Sequence, residues 1–84
     1  MSMDFPKVFE LIMEAILEGK SVEIEYQKNK FKDYEITKRK ITPKKFILVE
    51  RRTNYFHRLC VQAYCHLREE ERVFAVYRIK NLKS

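Results

Sequence analysis

A chain of 84 residues with a net charge of +6 has room for one small domain, and its 45% hydrophobic content predicts a packed globule, not a disordered tail. No apolar run approaches the roughly 18 residues that a membrane helix needs, and the first residues lack the basic-then-apolar order of a signal peptide. We therefore expect a cytoplasmic protein in which the two cysteines, Cys60 and Cys65, stay reduced.

The stretch "DFPKVFELIMEAILEG" predicts one amphipathic helix over about residues 5–18. Asp4 is the expected N-cap, Pro6 is tolerated in the first turn, and Gly19 stands where a C-cap belongs. We expect the apolar stripe to pack in the core, a partner groove being the alternative. The stripe follows helical spacing: Phe5, Val8, Phe9, Ile12, Met13 and Ile16.

Five short strands are predicted after the helix: "SVEIEYQ", "YEITKRKIT", "KFILVE", "YFHRLCVQAYC" and "RVFAVYRI". Pro43 is expected to end the second strand because it has no N–H to donate. The connections are "NKFKD", "RRTN" and "HLREEE". In the fourth strand Val61, Ala63 and Cys65 should share one face with Leu59, and Cys60, Gln62 and Tyr64 the other. The fifth strand is apolar on both faces, so it should be central or bulged.

The predicted architecture is mainly β (α+β): a single domain, residues 1–84, with the strands forming a strongly bent antiparallel sheet or partly open barrel over about residues 21–82. Charge is divided along it, because residues 1–27 carry a net of −4 and residues 28–84 a net of +10. This division predicts one acidic and one basic face, and a basic face attracts phosphate. The alternative is an ordinary surface with excess lysine.

The chain resembles the WYL domain family from about Val8 to Leu82, and three stretches carry the resemblance. The first stretch is "AILEGKSVEIEY". The second, "RKITP", matches the family's Arg-x-Val-x-Pro. The third, "AYCHLREEERVFAVYRI" at residues 63–79, matches the family's closing Ala-Tyr-Cys, Arg, Arg-x-Phe and Arg-Ile. The Trp-Tyr-Leu that names the family is replaced by Leu59, Cys60 and Val61, and Tyr77 stands where the family usually has Asp. Tyr55 and Phe56 would substitute for the missing aromatics only in a bulged strand.

The resemblance implies a helix on an SH3-type, Sm-like five-stranded barrel. It also implies a place in bacterial regulators, helicases or CRISPR-type assemblies, and a pocket for nucleic acid or a nucleotide. Arginine forks match phosphate oxygens, and aromatic rings stack on bases, so the residue types suit that ligand class. The residues carried over to the pocket are Tyr26, Arg39, Tyr64, Arg68, Arg72 and Arg78.

Structural roles for the same residues remain the alternative. Arg68 and Arg72 would pair with the glutamates of "REEER", Arg78 with Asp33 or Glu50, and the tyrosines would be wall residues.

We expect no metal site, because the spacing of His57, Cys60, Cys65 and His66 matches no zinc pattern. No cofactor motif or catalytic arrangement is present either, so we expect no enzyme.

The function predicted from sequence is that of a non-enzymatic, ligand-sensing domain that binds single-stranded nucleic acid or a nucleotide, in transcription regulation or a related assembly. The alternative is an interaction or dimerisation module without direct nucleic-acid binding, joined through the acidic helix face or an open sheet edge. Beside the nucleic-acid ligand, the predicted partners are a larger protein or operon partner and a second copy of the chain, paired through an open sheet edge.

Overall fold

The computed structural model describes residues 3–29, 32–49 and 59–83. A helix, α1 (Phe5–Glu18), precedes five strands: β1 (Val22–Asn29), β2 (Lys32–Leu48), β3 (Leu59–Cys65), β4 (Glu70–Ala75) and β5 (Ile79–Lys83). A short 3-10 helix, Val76–Arg78, joins β4 to β5. All strand pairs are antiparallel, in the order β4-β3-β2-β1-β5. The predicted fold class, one helix followed by a five-stranded antiparallel sheet, is confirmed.

Helix α1 begins and ends where its capping residues predict. The Asp4 carboxylate accepts a hydrogen bond from the backbone N–H of Lys7 at 3.1 Å, and Pro6 occupies the first turn, where its missing N–H is not needed. At the other end Gly19 adopts φ +65°, in the left-handed region that favours glycine, and its N–H is bonded to carbonyls of the last helical turn.

Two of the predicted strand boundaries are wrong. The number of strands remains five, because one error divides a single strand in two and the other joins two strands into one. Strand β2 continues through Pro43, so the second and third predicted strands are one. Its register against β3 shifts between Pro43 and Lys45, and a residue without an N–H is tolerated at such an irregularity because the ladder is interrupted there. The predicted fifth strand is instead divided by the 3-10 helix into the end of β4 and the start of β5. The predicted fifth strand was expected to be central or bulged. Its first part, β4, lies at one edge of the sheet and is not central.

The sheet is strongly curved. Flat strands at a spacing of about 4.8 Å would put β4 about 19 Å from β5, whereas a three-residue 3-10 helix spans only about 6 Å. A direct contact across the curve agrees: the Ala75 N–H of β4 donates to the Tyr26 hydroxyl of β1 at 3.0 Å, although two strands separate β1 from β4 in the sheet. The predicted strong bend is therefore present.

The core lies on one side of the sheet, which we call the inner face. Alternate residues of β1 and β3 point to it, as their period of two predicts, and Val8, Ile12 and Ala15 of α1 join them. No helix in the described part of the chain is long and apolar enough to cross a membrane. The inner-face members of the core are Val22, Ile24, Tyr26, Ile41, Val61, Ala63, Cys65, Phe74, Ile79 and Leu82.

Candidate ligand site on the inner face of the sheet

Arg39 is a charged residue on the inner face. It is paired across the ladder with Ile24, which is 2% exposed. Its guanidinium carbon is 6.0 Å from the centroid of the Phe74 ring. Its Nε donates to Thr37 Oγ1 at 3.3 Å, and its Nη1 lies 3.9 Å from Cys65 Sγ. Within the described residues the Arg39 donors therefore meet a hydroxyl and a thiol, and no carboxylate.

The turn after β3 surrounds the Cys65 thiol with hydrogen-bond donors. Burial by itself raises the pKa of this thiol. The backbone N–H groups of Arg68 and Leu67 act in the opposite direction, as does the Arg39 guanidinium, and the pKa of Cys65 lies below its ordinary value as a result. Converging amides and a guanidinium favour negative charge, so this corner of the inner face is electropositive.

Arg72 shares a face with Phe74, two residues away on β4. Its ladder partner, Ala63, is buried on the inner face. Arg72 Nη1 lies 3.2 Å from a Glu70 carboxylate oxygen, in a pair whose side chains are 42% and 58% exposed. An ion pair this exposed contributes little stability, so Arg72 can exchange the carboxylate for another anion at small cost. Arg39 and Arg72 are thus two cations on one face of the sheet, and Arg39 lies beside the Phe74 ring.

Arg68 is exposed in the turn that follows Cys65. Of the neighbouring glutamates, Glu71 is engaged elsewhere: it pairs with the ammonium of Lys44 and accepts a hydrogen bond from Gln62 Nε2 at 2.8 Å. These two donors hold the pKa of the Glu71 carboxyl below its usual range. The structural alternative was that the arginines of "REEER" pair with its glutamates. Arg72 does pair with Glu70, whereas the described partners of Glu71 are Lys44 and Gln62.

Arg78 and Tyr26 form a second cluster, which ties the 3-10 helix to β1. The Arg78 guanidinium donates to the carbonyl of Gln27 from Nε at 3.0 Å and from Nη2 at 2.7 Å, and Nη2 also donates to the Lys28 carbonyl at 2.5 Å. The guanidinium carbon stands 4.9 Å from the centroid of the Tyr26 ring. Burial raises the pKa of the Tyr26 hydroxyl, and that hydroxyl accepts the N–H of Ala75. The partners expected for Arg78, Asp33 and Glu50, have side chains outside the described residues.

Tyr64 lies on the opposite face from Arg39 and Arg72. Its ladder partner on β2 is Thr42, which points away from the core side. The Tyr64 ring meets the His66 ring edge-on at 5.1 Å. A chain of hydrogen bonds starts at that imidazole: His66 Nε2 is 2.8 Å from Thr42 Oγ1, which is 2.7 Å from Ser21 Oγ. The structure does not bring Tyr64 to the inner-face arginines.

Acidic and basic residues alternate on the outer face over β2, β1 and β5. Glu23 is paired with Lys40 on one side and Lys83 on the other, and Glu25 is paired with Lys38. An open groove of about 350 Å³ runs over these residues. The predicted separation into one acidic and one basic face does not hold here, because the acidic strand β1 is placed between two basic strands. Arg39 also contributes to the lining of this groove, which carries four basic and two acidic groups, so the glutamates offset only half of its positive charge.

The positions that replace the family's name-giving residues are part of the interior. Cys60 is 1% exposed and Val61 is fully buried, and neither Cys60 nor Cys65 forms a disulfide. Tyr55, Phe56 and His57 lie outside the described residues, as does the turn predicted at "RRTN". Among the residues that the structure describes, no three His, Cys, Asp or Glu side chains are grouped so as to hold a metal ion.

Sequence reasoning did not assign Thr37, Cys65 and Phe74 to the site, although they are the described neighbours of Arg39. Strand alternation contains part of the signal, because Arg39 is two residues from the apolar Ile41 and must share its face. The approach of β4 to β2 across the curve, which brings Phe74 to Arg39, is not visible in any local pattern.

Comparison with known proteins agrees with this architecture. The family model of the WYL domain matches residues 7–84, and the chain therefore belongs to the WYL domain family. No curated protein matches the sequence.

Among solved structures, the chain is similar to proteasome accessory factor B/C (PafBC) of Arthrobacter aurescens, with a TM-score of 0.77 and 24% sequence identity. The match covers 94% of this chain and 11% of that one, so the chain spans only a small part of its structural neighbour. At this identity the similarity concerns the fold.

Proposed function

We propose that this domain binds the phosphate groups of a single-stranded nucleic acid or a nucleotide at the inner-face site formed by Arg39, Arg72 and the turn that carries Arg68. The role is one of binding and regulation without catalysis, in the cytoplasm. Membership of the WYL family supports the ligand class, and the geometry around Arg39 supports the place.

The observation that carries the proposal is the environment of Arg39. Arg39 is half-buried on the core side of the sheet, where a bound anion would compensate its charge better than partial exposure to water does. The described neighbours of Arg39 are a hydroxyl, a thiol and an aromatic ring. A phosphate would supply the missing negative charge, and the planar fork of arginine binds two phosphate oxygens at once.

Arg72 adds a second cation that is easily released from Glu70, because their ion pair is exposed. On the outer face Glu23 and Glu25 lie between the lysines and offset part of their charge. An aromatic ring beside the arginine favours a single strand or a nucleotide over a duplex, because unstacked bases can reach the ring.

A matched pair of variants on β2 tests the proposal. Arg39→Gln and Lys38→Gln each remove one positive charge from adjacent positions that point to opposite faces. We expect Arg39→Gln to weaken binding of a labelled single-stranded oligonucleotide by about 10- to 100-fold, since a hydrogen-bonded charge contributes about 1.5–3 kcal/mol. Lys38→Gln should have a small effect that disappears at high salt.

The measurement is a fluorescence anisotropy titration at two salt concentrations, with single-stranded RNA, single-stranded DNA, a duplex and a mononucleotide. Equal losses for the two variants, both abolished by salt, would mean that basic residues attract nucleic acid diffusely and that no inner-face site exists. Tighter binding of the duplex than of the single strands would contradict the proposed ligand class.

One observation favours the alternative of a dimerisation module. Strand β4 ends the strand order and, within the described residues, pairs only with β3. The other end is partly covered, because the N–H of Met3 donates to the Lys80 carbonyl of β5 at 2.7 Å. The β4 edge is therefore the place where a second copy would extend the sheet.

A further inference from the structure

A strip of exposed and half-buried apolar side chains runs from α1 to the end of β2. On the helix, Phe9, Met13 and Leu17 follow one another at intervals of four residues, which places them in one row. Met13 is 42% exposed and Leu17 is 79% exposed. We call these residues, together with Phe46 and Leu48 of β2, the apolar strip.

The two halves of the apolar strip are in contact. The Phe9 and Phe46 rings are stacked, with centroids 4.6 Å apart. Phe46 and Leu48 share a face of β2, because they pair with alternate residues of β3. Leu48, at the β2 end of the strip, is 70% exposed, similar to Leu17 at the helical end. Scattered exposed apolar residues are normal on a protein surface, but a connected row of five indicates an interaction site.

Phe46 packs partly against the core, but the exposed members of the strip, Met13, Leu17 and Leu48, are not part of it. Helix α1 buries a different row, Val8, Ile12 and Ala15, against the inner face. Leu17 is more exposed than any other large apolar residue in the described part of the chain. The row that contains Met13, expected from sequence to be core, is instead turned in part to solvent.

A row of glutamates borders the helical half of the strip. Each apolar member is followed by a carboxylate: Glu10 after Phe9, Glu14 after Met13 and Glu18 after Leu17. Glu10 and Glu18 have exposed lysine neighbours, at 4.0 Å and 3.0 Å. These ion pairs are exposed and contribute little stability, so a cation of a partner can replace either lysine at small cost, and a partner with apolar side chains and positive charge suits the strip.

The length of the strip suits a helix as the partner. The three helical members span about 12 Å, at 1.5 Å per residue, and the stacked rings and two residues of β2 extend the strip to about 20 Å. This is the length of three to four helical turns, and an amphipathic helix binds such a surface through one apolar row. A second copy of α1 fits poorly, because it would bring two rows of glutamates together.

We propose that the apolar strip binds an amphipathic helix of a different protein, with lysine or arginine beside its apolar row. This binding site is separate from the inner-face site and does not depend on it. Its occupant is recognised by burial of Leu17, Met13 and Leu48 and by attraction to the three glutamates.

The experiment uses two synthetic amphipathic helices, one of leucine and lysine and one of leucine and glutamate, titrated into the 84-residue chain by calorimetry and by nitrogen-15 NMR. We expect the lysine peptide alone to bind, with amide shifts along α1 and the end of β2. Leu17→Gln should weaken binding at least about tenfold, because burial of a leucine is lost. Glu14→Gln should weaken it by a smaller factor that falls with added salt.

Leu67→Gln is the matched control, because Leu67 is also exposed, at 64%, but lies in the turn after β3. It should leave peptide binding unchanged, as should Arg39→Gln, which tests the other site. The proposal is overturned if the glutamate peptide binds equally well, if Leu67→Gln and Leu17→Gln have the same effect, or if no saturable binding occurs. Self-association of the wild type that Leu17→Gln abolishes would also overturn it, since a second copy would then cover the strip.

Discussion

Replacing Arg78 with alanine should destabilise the fold as well as any ligand site. The guanidinium makes three hydrogen bonds to the carbonyls of Gln27 and Lys28 and stacks on the Tyr26 ring at 4.9 Å. Gln27 is a buried polar residue, 5% exposed, so loss of Arg78 removes two hydrogen bonds from its carbonyl in a region that water reaches poorly.

The expected magnitude follows from these contacts. Loss of a charged donor from a buried acceptor costs about 1–3 kcal/mol, and loss of the cation–π contact adds about 0.5–1 kcal/mol. Because such contributions overlap, we expect Arg78→Ala to lower the free energy of unfolding by about 2–3 kcal/mol. In a domain of this size that loss lowers Tm by roughly 10 °C or more.

Urea denaturation followed by circular dichroism measures this loss. Arg72→Ala is the matched control, because it also removes one arginine but breaks only an exposed ion pair with Glu70. It should change the free energy of unfolding by less than about 1 kcal/mol. If Arg78→Ala is no less stable than Arg72→Ala, the reasoning from the carbonyl contacts is refuted and Arg78 is available for a ligand, as the sequence predicts.

Three further predictions concern titration and assembly. The lowered pKa of Cys65 means that the unfolded chain holds the thiol proton more tightly than the folded chain. The free energy of unfolding should therefore rise with pH between the pKa of Cys65 in the folded protein and its ordinary pKa of 9.0. This rise should be absent in Cys65→Ser. The same dependence of the urea midpoint on pH in both proteins would contradict the prediction. The Glu71 carboxyl should titrate below its usual range in a carbon-13 NMR experiment and move back towards that range in Lys44→Gln, whereas Glu14→Gln should leave it unchanged. If β4 pairs with a second copy, sedimentation should show a dimer that Val73→Pro abolishes, and a wild type that stays monomeric at high concentration would exclude this use of the edge.

Local patterns in the sequence were sufficient for the helix and for the alternation of the strands. The ends of α1 depend on Asp4 and Gly19, whose capping chemistry acts within one turn of the chain. Burial of every second residue in β1 depends on the period of the strand alone. The strand boundaries at Pro43 and Val76 were wrong because a bulge and a 3-10 turn are chosen by how the sheet curves, and local propensity does not report that curvature.

The sequence by itself determined the fold class, the family resemblance and the set of basic and aromatic residues from which a site could be built. Only the tertiary structure decided how that set is divided. Curvature brings Phe74 to Arg39, strand parity turns Tyr64 away from both, and the 3-10 helix directs Arg78 at the carbonyls of β1. The physical reason is that alternation along one strand is local, whereas the approach of strands that are not neighbours depends on the accumulated bend of the whole sheet.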